Sequence, residues 1–142
     1  MTKHILCAVD LTHEVDAMAL IAEADRLAQF EGATLSIVTA LPDYGSSFVG
    51  SFFKEGTLKE AIAAANKALH AIADKVVSKG IKVQCIVEVG AAYEEILDAA
   101  EKCQADLIIV GAHKPDLASR ILGPNAARVV RNAKVSVLVV RL

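Results

Sequence analysis

The chain has no tryptophan, only six other aromatic residues, three cysteines and three prolines among its 142 residues. With aromatics at 4% against 54% hydrophobic residues, the core has to be built from Ala, Val, Ile and Leu, the usual filling of helix-on-sheet packing. The cysteines, Cys7, Cys85 and Cys103, are scattered without CxxC spacing; an odd, sparse set fits a reducing compartment, so a cytoplasmic location is expected. Positive charge is not in excess: 15 basic and 17 acidic residues leave a net charge of -2, and nucleic acid is not expected as a partner. No apolar run approaches the roughly 18 residues needed to span a bilayer, and MTKHILCAVD turns acidic too soon for a signal peptide. Membrane insertion is therefore not expected either. There is no GxGxxG, no Walker A lysine and no GxSxG elbow, and His4, His13, His70 and His113 lack metal-ligand spacing. With no general base, nucleophile or metal triad in view, the chain does not read as a dedicated enzyme.

What is present is a regular alternation. Short apolar runs at His4–Val9, Leu107–Val110 and Val135–Val140 read as buried strands, Thr34–Leu41 as a partly alternating one. In Ile81–Val89, residues Ile81, Val83, Cys85, Val87 and Val89 share one parity, as at a sheet edge. Four helical patterns lie between. The first buries Ala17, Leu20, Ile21, Ala24, Leu27 and Ala28, with Gly32 as its stop. The second opens on the capping-box pattern Thr57 to Glu60, carries the stripe Leu58, Ile62, Ala65, Leu69, Ile72 and Val76, and stops at Gly80. The third uses Tyr93, Ile96, Leu97 and Ala100; the fourth uses Ala126, Val129, Val130 and Ala133, with Arg128 and Arg131 facing outward. The order βαβαβαβαβ forces parallel strands with right-handed crossovers, hence one α/β domain over residues 1–142, a three-layer sandwich.

One irregular stretch, Pro42 to Gly56, holds three glycines, three serines and four of the six aromatics (Tyr44, Phe48, Phe52 and Phe53). A loop of that length is either functional, such as a lid, or a flap whose aromatics plug the open end of the sheet.

Two places offer chemistry. The first strand ends in Val9-Asp10, and a carboxylate at the carboxyl end of a central strand sits at the crevice of an open α/β sheet. It can bind a ribose hydroxyl, an amino group or a metal; equally, Asp10 and Thr12 are both acceptable caps for the helix that follows. The second place is the loop from Gly111 to Gly123 and the helix start after it. Gly111 allows close backbone approach. Gly123 as N-cap leaves the N–H groups of Asn125 and Ala126 free, Lys114 and Arg120 add positive charge and Ser119 a hydroxyl, which together make a phosphate cradle. The alternative is an ordinary strand-to-helix connection whose glycines serve only its turns.

Val-Asp ending the first strand, Asp106-Leu-Ile-Ile-Val-Gly111, Gly123-Pro-Asn125-Ala126 and the closing Ala133-Lys-Val-Ser-Val-Leu-Val-Val140 together resemble the universal stress protein family. The similarity covers the whole chain, and His113-Lys114-Pro115-Asp116 with Leu122 to Ala126 resembles its bacterial short-loop branch. The resemblance implies a Rossmann-like, five-stranded parallel sheet in the order 3-2-1-4-5 with four helices, and binding of ATP or AMP, with or without Mg. By the same resemblance Gly111 and Gly123 are the first and third glycines of the family's nucleotide motif, Asp10 the strand-one aspartate that contacts ribose or a metal, and Ala40 the end of strand two that meets adenine through its backbone. His113, Lys114, Ser119, Arg120, Pro124, Asn125 and Ala126 complete the implied site. Two departures stand out. Lys114 replaces the second glycine, and only eight residues, Pro115 to Leu122, separate it from Gly123. Pro124 replaces the hydroxyl residue after the third glycine. Proline suits the first helical position, but it removes one N–H donor and one hydroxyl from a phosphate site.

The expected function is that of a cytoplasmic, adenine-nucleotide-binding stress-response regulator with at most slow ATP hydrolysis. The alternative is a family member that binds no nucleotide and acts only through an unknown protein partner; a small-molecule enzyme with the aromatic loop as its lid lacks a catalytic constellation. Family likeness also implies that the last strand lies at the sheet edge, where a long apolar run would template aggregation if left bare. A homodimer pairing this strand (Val135, Val137, Val139) across a two-fold axis is therefore expected.

Overall fold

The computed structural model describes residues 2–42, 55–112 and 124–142. Five strands, β1 (His4–Ala8), β2 (Thr34–Leu41), β3 (Val83–Val89), β4 (Leu107–Ala112) and β5 (Ser136–Arg141), alternate with four helices, α1 (Glu14–Glu31), α2 (Glu55–Val76), α3 (Ala92–Lys102) and α4 (Pro124–Asn132). The strands form one parallel sheet in the order β3-β2-β1-β4-β5, as the family likeness implied.

Strand alternation divides the core. Ile5, Cys7, Leu35, Ile37 and Ile109 point to one face, where Ala17, Leu20, Ile21, Ala24 and Ala28 of α1 and Leu69, Ile72 and Ala73 of α2 cover them. Leu6, Val38, Ile108 and Val110 point to the other, under Ile96, Ala99 and Ala100 of α3 and Ala126 and Val129 of α4. The central strand β1 pairs on both sides, and its Ile5, Leu6 and Cys7 are fully buried. The edge strand β5 is only half-buried: Val137 and Val139 lean toward the α3–α4 layer, Leu138 and Val140 toward the α1–α2 layer.

Several local expectations change. Gly32 does end α1, in the left-handed conformation (φ 67°), its N–H and that of Ala33 both reaching the Ala28 carbonyl. By contrast, α2 already runs from Glu55, so Thr57 is inside the helix and forms no capping box, and the helix ends at Val76, short of Gly80. The reason for the early end is tertiary. The buried carboxylate of Asp25 on α1 accepts the Ser78 backbone N–H at 3.0 Å and its hydroxyl at 2.8 Å, turning the chain out of the helix. Val130 is exposed rather than packed, and Ala99, not expected in the α3 stripe, is buried.

Candidate functional site

At the carboxyl ends of β1, β2 and β4 the chain leaves the sheet in different directions, and a cavity of about 740 Å³ opens there. This is the point where the strand order reverses, the usual ligand crevice of an open α/β sheet; the volume lies in the range of small-molecule sites. Its floor is Ala8, Val38, Val110 and Ala112. One wall is the start of α1 (His13, Asp16, Ala17 and Leu20); the other is Ala92 and Ile96 of α3 with Pro124, Asn125 and Ala126 of α4.

The β1 end is set by two hydrogen bonds. The Val9 N–H reaches the Val38 carbonyl at 2.9 Å, carrying the β1–β2 pairing one residue further, so that the chain turns away at Asp10. Asp10 Oδ1 then accepts both the backbone N–H of Thr12, at 2.9 Å, and its hydroxyl, at 2.7 Å. This turn holds the exposed Asp10 carboxylate at the mouth of the cavity. Neither Asp10 nor Thr12 caps α1; the cap position is His13, which makes no side-chain capping bond. At the β2 end, Gly90 N–H binds the Leu41 carbonyl at 2.8 Å and brings the start of α3 to the rim beside Ala40, Leu41 and Pro42.

Of the residues singled out in the sequence, Asp10, Ala40, Gly111, Pro124, Asn125 and Ala126 all line this one cavity. His113, Lys114, Ser119, Arg120 and Gly123 lie outside the described residues, as does the aromatic loop from Tyr44 to Phe53. Sequence reading missed Thr39, which is buried in β2, and it missed His13, Asp16, Leu20 and Leu142. Leu142 could not have been found by pattern: its N–H extends the β4–β5 ladder to the Ala112 carbonyl at 2.8 Å, which places its side chain over Gly111. A Cβ at Gly111 would stand 2.7 Å from Leu142 Cδ1 and 3.5 Å from Leu20 Cδ2.

The electrostatics are uneven. Three helix N-termini, with their positive dipole ends, converge on the cavity. The first turn of α1 carries Glu14 and Asp16, and that of α3 carries Glu94 and Glu95, whereas that of α4 carries no acidic residue. Among the described lining residues there is no Lys, Arg, Cys or Ser, and no group of three or more His, Cys, Asp or Glu side chains fit to hold a metal ion occurs among the described residues. The polar equipment of the described walls is two carboxylates, the His13 imidazole, the Thr12 and Thr39 hydroxyls, the Asn125 amide and backbone groups. That set suits recognition of a polar organic ligand by hydrogen bonds. No described helix is long and apolar enough to cross a membrane.

The fold and this crevice define an α/β protein of the doubly wound, Rossmann-like kind, a class shared by many functions. Comparison narrows it: the model of the universal stress protein family matches residues 1–141, and the chain belongs to that family. Universal stress protein G of Shigella flexneri is 27% identical over 147 residues, covering 99% of this chain and 100% of its own. Among solved structures, the hypothetical protein MJ0577 superposes with a TM-score of 0.74 at 27% identity, covering 99% of this chain and 96% of that one. A universal stress protein crystallised in complex with cAMP shares the fold, with a TM-score of 0.63 at 23% identity over 99% and 97% of the two chains.

Proposed function

We propose that this chain is a cytoplasmic stress-response regulator that binds an adenine nucleotide, ATP or AMP, in the crevice between Asp10, Ala40 and the start of α4. The observation that carries the reading is the charge layout of that crevice. Asp10 stands on one side, suited to accept hydrogen bonds from ribose hydroxyls. On the other, α4 is the one of the three converging helices with no acidic residue in its first turn, the natural seat for an anion. Val38, Ile96 and Val110 supply apolar surface for a purine between them. Gly111, Asn125 and Ala126 belong to the same reading, as do His113, Lys114, Ser119, Arg120 and Gly123, whose charges and donors would complete the phosphate seat. A relative of the same fold holds cAMP, itself an adenine nucleotide. Any Mg would arrive with the phosphates, which is how that ion is ordinarily held. In this reading the nucleotide acts as a signal and any hydrolysis is slow.

The test is to denature the freshly purified protein and identify released small molecules by mass spectrometry, followed by calorimetry with ATP and AMP on the emptied protein. Adenine nucleotide near one per chain supports the reading; an empty protein that binds neither compound overturns it. One observation favours a second reading, in which the output is protein–protein contact alone: α4 begins with Pro124, which withholds a backbone N–H where an anion would sit.

A further inference from the structure

The crevice contains an arrangement that the nucleotide reading does not use. Gly111 is the residue that would let a ligand approach the β4 backbone, yet the space where its side chain would be is already taken. Leu142 Cδ1 fills it, backed by Leu20 Cδ2 from α1, and both leucines line the cavity. We propose that Leu142 is a specificity-determining residue of this crevice: it keeps anionic groups off the Gly111 backbone and confines them to the α4 side. This rests on the nucleotide reading for the identity of the ligand.

The argument is one of polarity. An anion pressed against two leucine side chains loses hydration and gains no donor, which is costly. An apolar face of a ligand loses little there and gains contact. The corner formed by Leu20, Gly111 and Leu142 therefore tolerates an apolar face of the ligand and rejects phosphate, while the acid-free α4 terminus lies on the other face of the sheet. Leu142 is held in place by its backbone bond to Ala112, so the barrier is built into the β4–β5 ladder. Its side chain is only half-buried, so shortening it opens the corner without emptying the core.

The experiment compares wild type, Leu142→Ala and the volume-conserving Leu142→Met, each first shown to be folded by circular dichroism. Calorimetry gives the ratio of ATP to adenosine affinity, and thermal unfolding is followed with and without pyrophosphate. In Leu142→Ala the ratio should rise about tenfold, because a phosphate at the corner is no longer stripped of water against the leucine. Leu142→Met should keep the wild-type ratio. An unchanged or lower ratio in Leu142→Ala overturns the proposal. If wild type and Leu142→Ala bind neither adenosine nor ATP, the nucleotide reading fails, and pyrophosphate decides the role of Leu142. A rise in Tm confined to Leu142→Ala supports the barrier, and the same response in both proteins overturns it.

Discussion

Asp25 and Ser78, 53 positions apart in sequence, are joined by two hydrogen bonds, the Ser78 N–H and hydroxyl both donating to one buried carboxylate, to which Gln29 donates a third at 2.8 Å. The contact ends α2, fixes it against α1 and satisfies a charge that would otherwise be stranded in the interior. Asp25→Ala leaves the Ser78 N–H and the Gln29 amide without this acceptor. Hydrogen bonds to a charged group contribute about 1.5–3 kcal/mol each and do not add fully, so a loss of roughly 2–4 kcal/mol is expected. Urea unfolding checks it; a loss under about 0.5 kcal/mol would mean that solvent replaces the contact.

At the opposite end of the sheet from the crevice, His4 bridges two hydroxyls, Ser36 at 2.7 Å from Nε2 and Thr34 at 2.9 Å from Nδ1. Burial lowers the His4 pKa from its ordinary 6.5, with the Asp106 carboxylate opposing in part. The unfolded chain thus binds a proton more readily than the folded one, so stability is full above about pH 6.5 and falls as the pH drops toward the folded value. In His4→Gln this dependence should flatten between pH 7 and 5, measured as Tm against pH. An undiminished slope would assign the dependence to other groups.

Pro124 at the first position of α4 offers a direct probe of the phosphate seat. Pro124→Ser returns an N–H and a hydroxyl to the helix start. If phosphate sits there, ATP affinity should rise by roughly tenfold to a hundredfold, the equivalent of one charged hydrogen bond, while adenosine affinity stays unchanged. Calorimetry with both ligands separates the two; equal changes would place the phosphates elsewhere.

The half-buried apolar strand β5 lies at the sheet edge next to β4, with no partner strand on its outer side among the described residues. The expected homodimer, pairing Val137 and Val139 of β5 and the preceding Val135 with the same segment of a second copy, would cover that edge. Sedimentation should therefore show a dimer at micromolar concentration, and Val137→Lys or Leu138→Lys should give monomer or aggregate. A wild-type monomer at that concentration would require the edge to be covered in another way.

The strands were legible because their apolar runs are short and bounded: β2 begins and ends where the pattern puts it, Thr34–Leu41, and the bounds of the other strands differ from theirs by at most two residues. The α1 stripe and its Gly32 stop were legible for the same reason: both are local, set by a helical repeat and by one residue free to adopt positive φ. The end of α2 was not, because the Asp25 carboxylate that sets it comes from another helix. In the candidate site, Asp10, Gly111 and Pro124 follow from strand ends and helix starts. Leu142 and Thr39 do not, since one depends on ladder register and the other is one of three hydroxyl residues in β2, with nothing local to single it out.

The double pairing of β1 has a consequence for the timing of biosynthesis. Its β2 partner lies about thirty residues downstream, but its β4 partner is about a hundred residues away, as in the bond from the Asp106 N–H to the His4 carbonyl. At synthesis rates of roughly 5–20 residues per second, β1 waits on the order of 5–20 s with one side of its ladder open. For that interval the nascent chain presents an Ile-Leu-Cys edge that the finished protein buries completely. The strand at the centre of the folded molecule is therefore its most vulnerable edge while it is being made.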